Sequence, residues 1–371
     1  MASTQSFEIF LAAPPGLEAP LAQEAREAGF GPVTEVPGGV TMTGGWPDVW
    51  RANLHLRGAG RVLARIGEFR AFHLAQLDKR ARKFNWGAVL RADVPVRVEV
   101  TSKKSKIYHA GAATERIERA ITEELGAPIS PEAAVCLKVR IDDNLCTFSV
   151  DTSGESLHKR GHKEAIGKAP MRETMAALFL RACGYTGTEP VLDPMCGSGT
   201  FVIEAAEIAR GLWPGRSRSF AFEHLATFDP DAWAAMRAGG DPRETTLQFH
   251  GSDRDGGAMA NCRANADRAG VGDICSFEKR AVSDLVRPEG APGLVIVNPP
   301  YGARIGNKKA LYPLYGALGQ TLAERFSGWR VGIITTEAPL AHATGLPFLP
   351  AGPYVAHGGL KVRLFQTAPL P

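Results

Sequence analysis

The chain has 371 residues, a hydrophobic content of 44% and a formal net charge of +4. This length and composition are typical of a folded protein of two or three domains and exclude a disordered chain. No basic segment precedes an apolar run at the start of the chain, and no apolar run approaches the roughly 20 residues needed to span a bilayer. We therefore predict a soluble, cytoplasmic protein without a targeting segment or membrane anchor.

Six cysteines are scattered without CxxC spacing or histidine partners. This pattern disfavours both a zinc site and a disulfide framework, so we expect reduced thiols and no bound metal. The small positive charge permits nucleic acid as a partner without requiring it.

The first 60 residues predict a small α+β segment: FEIFLA is a short strand, residues 17–28 carry apolar side chains at helical spacing, and GGVTMTG is a strand closed by glycines. Residues 61–155 form a second α+β segment. Its predicted strands are VPVRVEVTS, CLKVRID and LCTFSVD, and its predicted helix is ATERIERAITEEL. Neither segment is large enough to hold a cofactor crevice.

The pattern changes in the third segment, residues 156–371. Here apolar strands alternate with helices, at PVLDP, TLQFHGSD, LVIVNPP and RVGIITT. This alternation predicts a parallel sheet that is covered by helices on both faces.

A glycine turn, DPMCGSGT, joins the first of these strands to a helix. Gly197 and Gly199 let the backbone turn tightly and approach a ligand closely, which a Cβ would block. The turn matches neither GxGxxG nor a Walker A loop, which disfavours a bound pyrophosphate. Asp193, just before the turn, places a negative charge beside the bound group and so favours a cationic ligand.

A second site follows at FHGSD, a strand that ends in Asp253. A carboxylate at the carboxyl end of the second strand can accept hydrogen bonds from both hydroxyls of a ribose. The turn and Asp253 together predict a site for a nucleoside that carries a positive charge. The insertion at residues 210–244 separates the two sites, which weakens a nicotinamide interpretation. This insertion is either a lid over a base pocket or simple packing.

The third site is LVIVNPPYG, in which a buried strand runs into Asn298, Pro299, Pro300 and Tyr301. Two prolines cannot continue a central strand, because neither supplies a ladder N–H. The Asn298 side-chain oxygen and the following backbone carbonyl can each accept one N–H of a nucleobase amine, which directs its lone pair toward an electrophilic methyl group. Tyr301 offers a face to a base that has left its stack. We therefore predict methyl transfer to an exocyclic amine, catalysed mainly by positioning.

DPMCGSGT, GSDRD and NPPYGARIG resemble the signature motifs of class I S-adenosylmethionine-dependent methyltransferases that act on exocyclic amines. The surrounding sequence resembles the THUMP-domain RNA methyltransferases, in particular the bacterial 23S rRNA guanine-N2 methyltransferases. The resemblance implies an α/β fold, with a Rossmann-like class I methyltransferase sheet at 156–371 preceded by a ferredoxin-like segment at 1–60 and a THUMP-like RNA-binding domain at 61–155.

The same resemblance implies an activity and its partners. S-adenosyl-L-methionine would be the cofactor, and the exocyclic N2 amine of a guanine in 23S rRNA would receive the methyl group. The partner would be structured RNA, either 23S rRNA or a ribosome assembly intermediate, with no obligate protein partner.

The resemblance also assigns roles to residues. Catalysis would rest on Asn298, Pro299, Pro300 and Tyr301. The family often has an Asp where Ala281 stands, so adenine recognition would rest on backbone groups or on Asp284. The cofactor-binding residues would be Pro170, Met171, Asp193, Pro194, Gly197, Ser198, Gly199, Asp253, Asp284 and Asn298.

Two basic stretches are candidates for phosphate contacts. A charge run alone is more often a solvated surface, but the resemblance places both stretches in the region that this family uses for RNA. The predicted contacts in TSKKSKIYH are Lys103, Lys104 and Lys106, and those in LHKRGHK are Lys159, Arg160 and Lys163.

Three alternatives fit part of this pattern. THUMP modules also serve tRNA, which leaves a tRNA guanine-N2 methyltransferase open. An NPPY motif can also hold the N6 amine of an adenine, which leaves a DNA adenine-N6 methyltransferase open, although no DNA target-recognition domain is evident. The intact motifs disfavour an RNA-binding protein with an inactive methyltransferase fold. The chain stops soon after its last predicted strands, so we expect one active site and not the fused second methyltransferase domain of some family members.

Overall fold

The computed structural model describes residues 6–164, 171–301 and 311–371. Over these ranges the chain forms two compact units. The N-terminal unit contains the described residues up to Ala13, Ala22–Leu157 and Arg218–Gly239; the C-terminal unit contains the described parts of Pro14–Leu21, His158–Ser217 and Gly240–Pro371. No helix within these ranges is both long and apolar enough to cross a membrane.

The N-terminal unit alternates strands with helices. In chain order these are β1 (Phe7–Ala12), α1 (Glu18–Glu27), β2 (Val33–Val36), β3 (Gly39–Gly44), α2 (Trp46–His55), β4 (Arg61–Arg70), α3 (Leu74–Ala81), β5 (Val96–Lys103), α4 (Ala110–Leu125), β6 (Val135–Asp142) and β7 (Leu145–Asp151). The strands form one sheet in the order β2-β3-β1-β4-β7-β6-β5. β5 and β6 run parallel, because α4 crosses over between them.

The predicted boundary at residue 60 falls inside this sheet. β1 pairs antiparallel with β4 from Ile9↔Ala64 to Ala12↔Arg61, and β4 pairs in turn with β7. Because one hydrogen-bonded ladder runs through both predicted segments, they form a single unit.

The second half of the chain supplies the remaining elements. These are α5 (Glu173–Ala182), β8 (Val191–Asp193), α6 (Thr200–Ala209), α7 (Pro230–Ala238), β9 (Phe249–Asp253), α8 (Gly256–Ala269), β10 (Cys275–Lys279), β11 (Leu294–Val297), α9 (Tyr312–Arg325), β12 (Arg330–Thr335), α10 (Ala338–His342), β13 (Val355–His357) and β14 (Leu360–Gln366). The sheet order is β10-β9-β8-β11-β12-β14-β13. β8 to β12 are parallel, and β14 is antiparallel to β12. The predicted α/β fold with a mostly parallel sheet is confirmed.

Helix α9 covers the centre of this sheet through one apolar stripe. Tyr315, Leu318 and Leu322 recur at helical spacing and are fully buried. They pack with residues of β11 and β12, including Val297 and Ile333, in one hydrophobic cluster. Each such side chain contributes about 1.5–3 kcal/mol by leaving water, so α9 holds the end of β11 firmly in place.

The predicted insertion at 210–244 is divided between the two units. Residues Arg218–Gly239, which include α7, belong to the N-terminal unit. Phe222 stacks on Trp50 with ring centroids 6.1 Å apart and meets Trp233 edge to face at 5.0 Å. This part of the insertion therefore packs through aromatic rings within the N-terminal unit.

Candidate active site

The order of the C-terminal sheet reverses beside β8, which pairs with β9 on one side and β11 on the other. In open α/β sheets, ligands bind beyond the carboxyl ends of the strands at such a switch point. The glycine turn follows β8, Asp253 ends β9, and Asn298 follows β11. The fold therefore brings the three predicted sites to one edge of one sheet.

The two glycines of the turn have different roles. Both have positive φ, 53° at Gly197 and 81° at Gly199, a region that favours glycine. A Cβ at Gly199 would press on Phe277 and Cys262 at 3.2 and 3.3 Å, whereas a Cβ at Gly197 would meet nothing within 4 Å. Gly199 is thus required by packing, and Gly197 leaves open space where a ligand can approach the backbone.

Hydrogen bonds tie the turn to the neighbouring strand and helix. The Gly197 amide donates to Asp253 Oδ2 at 3.2 Å, and the Cys196 amide donates to the Ser252 carbonyl at 2.9 Å. The Cys262 thiol on α8 donates to the Gly197 carbonyl at 3.1 Å. Contact with the Cys262 thiol and burial both raise the pKa of Cys196, which makes Cys196 a packed thiol and not a nucleophile.

Asp193 lies buried under the turn. Its Oδ1 accepts a hydrogen bond from the Met195 amide at 3.0 Å. Burial raises the pKa of Asp193 to about 8; the charge of Asp253 adds to this, and the bond from Met195 opposes it. A cation bound nearby would favour the ionised carboxylate. A cationic ligand at this position stays a prediction.

Lys163 is buried against the start of α6 and does not face solvent. Its Nζ donates to the Met171 carbonyl at 2.9 Å and to Thr200 Oγ1 at 3.0 Å, and it pairs with Glu173 at 2.9 Å. The prediction that Lys163 contacts RNA is therefore wrong, because its charge is already neutralised inside the fold. Lys163 fixes Met171 beside the glycine turn instead. Pro170, predicted to act with Met171, lies outside the described residues.

Arg160 is also buried. Its Nη2 lies 3.0 Å from Glu204 Oε1 on α6, and both side chains are 1% exposed. A phosphate cannot reach this guanidinium without breaking a buried ion pair, so the predicted RNA contact of Arg160 is wrong as well. Within the same stretch, Lys159 is exposed.

Asn298 carries an unsatisfied acceptor. Its Oδ1 is buried and has no hydrogen-bond partner in the described part of the chain. An unmade hydrogen bond at a buried polar atom costs about 1–3 kcal/mol, and such atoms need an explanation. A bound donor, such as the N–H of a nucleobase amine, would complete this bond.

Tyr315, which the sequence did not single out, positions the proline pair. Its hydroxyl donates to the Pro300 carbonyl at 3.2 Å and lies 3.3 Å from Thr335 Oγ1 at the end of β12. Burial raises the pKa of Tyr315, so the phenol stays neutral. The LYPLYGALG stretch reads as an ordinary amphipathic helix, and nothing in that pattern marks this hydroxyl.

The other predicted site residues lie in the same unit. Pro194 and Ser198 are buried in the turn, Pro299 is buried, and Tyr301 is half-buried. Asp284 is exposed at the end of a short 3-10 turn that follows β10. The register Lys279↔Asp253 sets the end of β10 beside Asp253, so Asp284 follows the strand next to the predicted ribose site.

The lysine loop, defined as Lys103–His109, joins β5 to α4 in the N-terminal unit. Lys103, Lys104 and Lys106 are all exposed. The loop is ordered by its neighbours: the Lys106 amide donates to Asn144 Oδ1 at 2.8 Å. The three lysines therefore form a basic surface on a fixed backbone, as a phosphate site requires.

The chain matches two family models. Residues 160–346 match the model described as RMKL-like, methyltransferase domain, and residues 8–63 match the model described as RlmL ferredoxin-like domain. The first match covers half of the chain and includes the glycine turn, Asp253 and NPPY.

Two curated relatives are similar over most of the chain. The ribosomal RNA large subunit methyltransferase K/L of Chromohalobacter salexigens is 35% identical over 364 residues, which cover 92% of this chain and 50% of the relative. A candidate RNA methyltransferase of Synechocystis sp. is 32% identical over 362 residues, which cover 95% of this chain and 94% of the relative. The chain thus spans about half the length of the first relative and nearly all of the second.

Two solved structures share the fold along almost their whole length. SMU.472, a candidate methyltransferase in complex with SAH, has a TM-score of 0.87 and 29% identity, with 99% of each chain covered. A predicted N6-adenine-specific DNA methylase from Listeria monocytogenes has a TM-score of 0.88 and 30% identity, with 99% of this chain and 97% of that chain covered.

Proposed function

This chain belongs to the RMKL-like methyltransferase family, and from that premise we propose that it methylates the exocyclic N2 amine of a guanine in 23S rRNA. The observation that carries the proposal is the buried Asn298 Oδ1 at the carboxyl end of β11, which has no hydrogen-bond partner among the residues that the structure describes. It lies at the same sheet edge as the glycine turn and Asp253. A methyl donor and an acceptor amine can therefore meet there.

The methyl donor of this family is S-adenosylmethionine, and the residues at the turn fit it. Gly197 leaves open space where a Cβ would otherwise stand, Asp253 would hold the ribose hydroxyls, and Asp193 would face the cationic part of the molecule. Asp284, beyond the neighbouring strand, would lie on the adenine side. When bound, this cofactor supplies an electrophilic methyl group on a sulfonium.

The residues after β11 would prepare the amine. A guanine N2 lone pair is delocalised into the ring, so the amine is a poor nucleophile. Asn298 Oδ1 and the following backbone carbonyl would each accept one N–H, which orients the lone pair without a strong base. The ring of Tyr301 would support the extruded guanine, and Tyr315 would hold the proline pair through the Pro300 carbonyl.

The N-terminal unit would bind the RNA backbone. Lys103, Lys104 and Lys106 of the lysine loop would neutralise phosphates, and Lys159 of the C-terminal unit would do the same. The Chromohalobacter relative is named for ribosomal RNA of the large subunit, which supports 23S rRNA as the substrate. The match of residues 8–63 to the RlmL ferredoxin-like domain supports the same assignment for this half of the chain.

Methylation of adenine N6 is the second candidate, because the Listeria structure is described as a predicted N6-adenine-specific DNA methylase. The amine chemistry at Asn298 would be the same. The two candidates differ in the polymer that is bound and in the base that is extruded.

A methyl-transfer assay separates these candidates. The purified chain receives labelled S-adenosylmethionine with unmethylated 23S rRNA, total tRNA or duplex DNA, and the product nucleosides are analysed. We expect N2-methylguanosine in 23S rRNA. N2-methylguanosine in tRNA alone would keep the reaction and change the substrate to tRNA. N6-methyladenine in DNA would replace the proposal by the second candidate. The absence of product with all three nucleic acids would refute both candidates.

A further inference from the structure

The hairpin β13–β14 extends beyond the sheet edge that carries the active site. β14 pairs antiparallel with β12, with Thr335, the last residue of β12, opposite Arg363. Residues Leu360 to Val362 of β14 therefore lie beyond the end of β12, a length of about 10 Å at strand spacing. Since Val297 of β11 is level with Ile333 of β12, this overhang stands on the side of the sheet edge where Asn298 begins.

The hairpin carries an aromatic and basic surface, the hairpin patch, which consists of Tyr354 just before β13, Arg363 level with the end of β12, and Lys361 in the overhang. The Arg363 guanidinium lies 4.7 Å from the centroid of the Tyr354 ring. Tyr354 is nevertheless 58% exposed. Lys361 is exposed and stands two positions from Arg363, so both side chains project from the same face of β14.

Arg363 is held rigidly in this patch. Its Nε donates to the Gly352 carbonyl at 3.0 Å and its Nη2 to the Ala351 carbonyl at 3.3 Å. Two backbone acceptors and two rings, Tyr354 and Phe365, thus fix the plane of the guanidinium. Its Nη1 has no acceptor in the described ranges of the chain, and it keeps donors for a further oxygen.

The patch is also connected to the catalytic motif. The Tyr315 hydroxyl contacts both the Pro300 carbonyl and Thr335 Oγ1, and Thr335 is the partner of Arg363 in the ladder. β14 is two strands away from β11, a lateral distance of about 10 Å at normal strand spacing. This separation matches one to two nucleotides from the base that Asn298 would hold.

We propose that the hairpin patch binds an unpaired nucleotide next to the target base, with its base stacked on Tyr354 and its phosphate held by Lys361 and Arg363. A base flipped from a helix leaves its neighbours unstacked, and aromatic and guanidinium planes are the usual supports for such bases in RNA. The inference rests on the proposed function, because it names the form of RNA that the same site accepts.

The test measures binding without methyl transfer. Fluorescence anisotropy compares a short single-stranded RNA with an RNA duplex and a DNA duplex of equal length, for the wild type, Tyr354→Ala, Tyr354→Phe and Lys361→Glu. Because Tyr354→Ala removes the ring on which the base would stack, we expect it to weaken binding of the single strand about tenfold and Tyr354→Phe to retain it. Lys361→Glu, a substitution at an exposed position, should weaken binding and reduce its salt dependence.

Arg237→Ala is the matched control, since Arg237 stands over the Trp233 ring at 5.6 Å on α7 in the N-terminal unit. It should bind both RNAs like the wild type. With 23S rRNA as substrate, Tyr354→Ala should raise KM and leave kcat and SAH affinity unchanged. Wild-type affinity for the single strand in both Tyr354→Ala and Lys361→Glu would overturn the inference. If the wild type prefers duplex DNA to both RNAs, the proposed function fails as well, which separates the two failures.

Discussion

The carboxylate of Asp253 accepts a hydrogen bond from the amide of Gly197 at 3.2 Å, across 56 positions in the sequence. The proposed ribose acceptor therefore also holds the glycine turn. The glycine turn after β8 and Asp253 at the end of β9, which the sequence predicts as two sites, are therefore parts of one site.

Asp253→Ala should weaken SAH binding by at least about a hundredfold, because two charge-assisted hydrogen bonds to ribose of about 1.5–3 kcal/mol each are lost and the turn loses its anchor. Isothermal titration calorimetry measures this directly. Asp255→Ser is the control: it removes a charge two positions away and keeps a side-chain oxygen for the Gly257 amide at the start of α8. Equal losses of SAH affinity in Asp253→Ala and Asp255→Ser would mean that the effect comes from removing a negative charge, and not from the position of Asp253.

SAH binding should depend on pH through Asp193. Its pKa of about 8 in the folded chain, against an ordinary value of 3.8, means that a cationic ligand must displace a proton at pH 7. We expect proton release on binding, seen as a buffer-dependent enthalpy, and affinity that rises toward pH 8. The readout is the difference between wild type and Asp193→Asn, which cancels any proton released by the ligand's own ammonium group. Identical proton release in the two proteins would contradict the prediction.

The raised pKa of Asp193 also predicts the direction in which the stability of the fold changes with pH. Because the pKa of Asp193 is raised on folding, its contribution to the free energy of unfolding is fully present below pH 3.8 and is lost as the pH rises through about 8. The ligand-free protein should therefore lose stability over this range more steeply than Asp193→Asn. Urea unfolding at several pH values measures the difference.

Asn298→Ala should lower kcat by about two to three orders of magnitude, the range seen when a transition-state hydrogen-bond partner is removed. SAH affinity should change little, because the side-chain oxygen is assigned to the acceptor amine. Single-turnover methyl transfer together with calorimetry separates the two effects. A kcat equal to that of the wild type would remove the amine-orienting role.

Replacement of Lys103, Lys104 and Lys106 by Ala should reduce the slope of log K against log salt for RNA binding by about 2–3, since each phosphate contact contributes about 0.7–0.9. The control removes Arg116 and Arg119 from α4 in the same unit. A slope that the lysine variant leaves unaltered would exclude the lysine loop from the RNA surface.

Arg160→Ala should destabilise the fold by about 3–5 kcal/mol, because it removes the cation from a buried ion pair with Glu204. The salt slope of RNA binding should not change in the protein that remains folded. Lys159→Ala, at the exposed neighbour, should leave the stability of the fold unchanged and reduce the salt slope of RNA binding. Denaturant unfolding and RNA titration of both variants check this contrast.

Much of this molecule follows from local sequence chemistry. Strands β8, β9, β11 and β12 appear as short apolar runs between turn residues, and Gly197 and Gly199 mark positive φ that few other residues tolerate. NPPY ends a central strand because proline has no N–H to donate. These features depend on the residue and its immediate neighbours, so they can be read without a structure.

Burial and the choice of partner depend on contacts between distant residues. LHKRGHK reads as a solvated basic run, yet Arg160 and Lys163 are neutralised by Glu204 and Glu173. The Tyr315 hydroxyl meets Pro300 only because α9 packs along β11 and β12, and Arg363 reaches the active-site edge only through antiparallel pairing. The Arg160–Glu204 ion pair joins residues 44 positions apart, and the ladder between β12 and β14 joins Thr335 to Arg363, so neither contact leaves a periodic trace in either segment. The folded chain alone therefore decides which of these charges remain exposed.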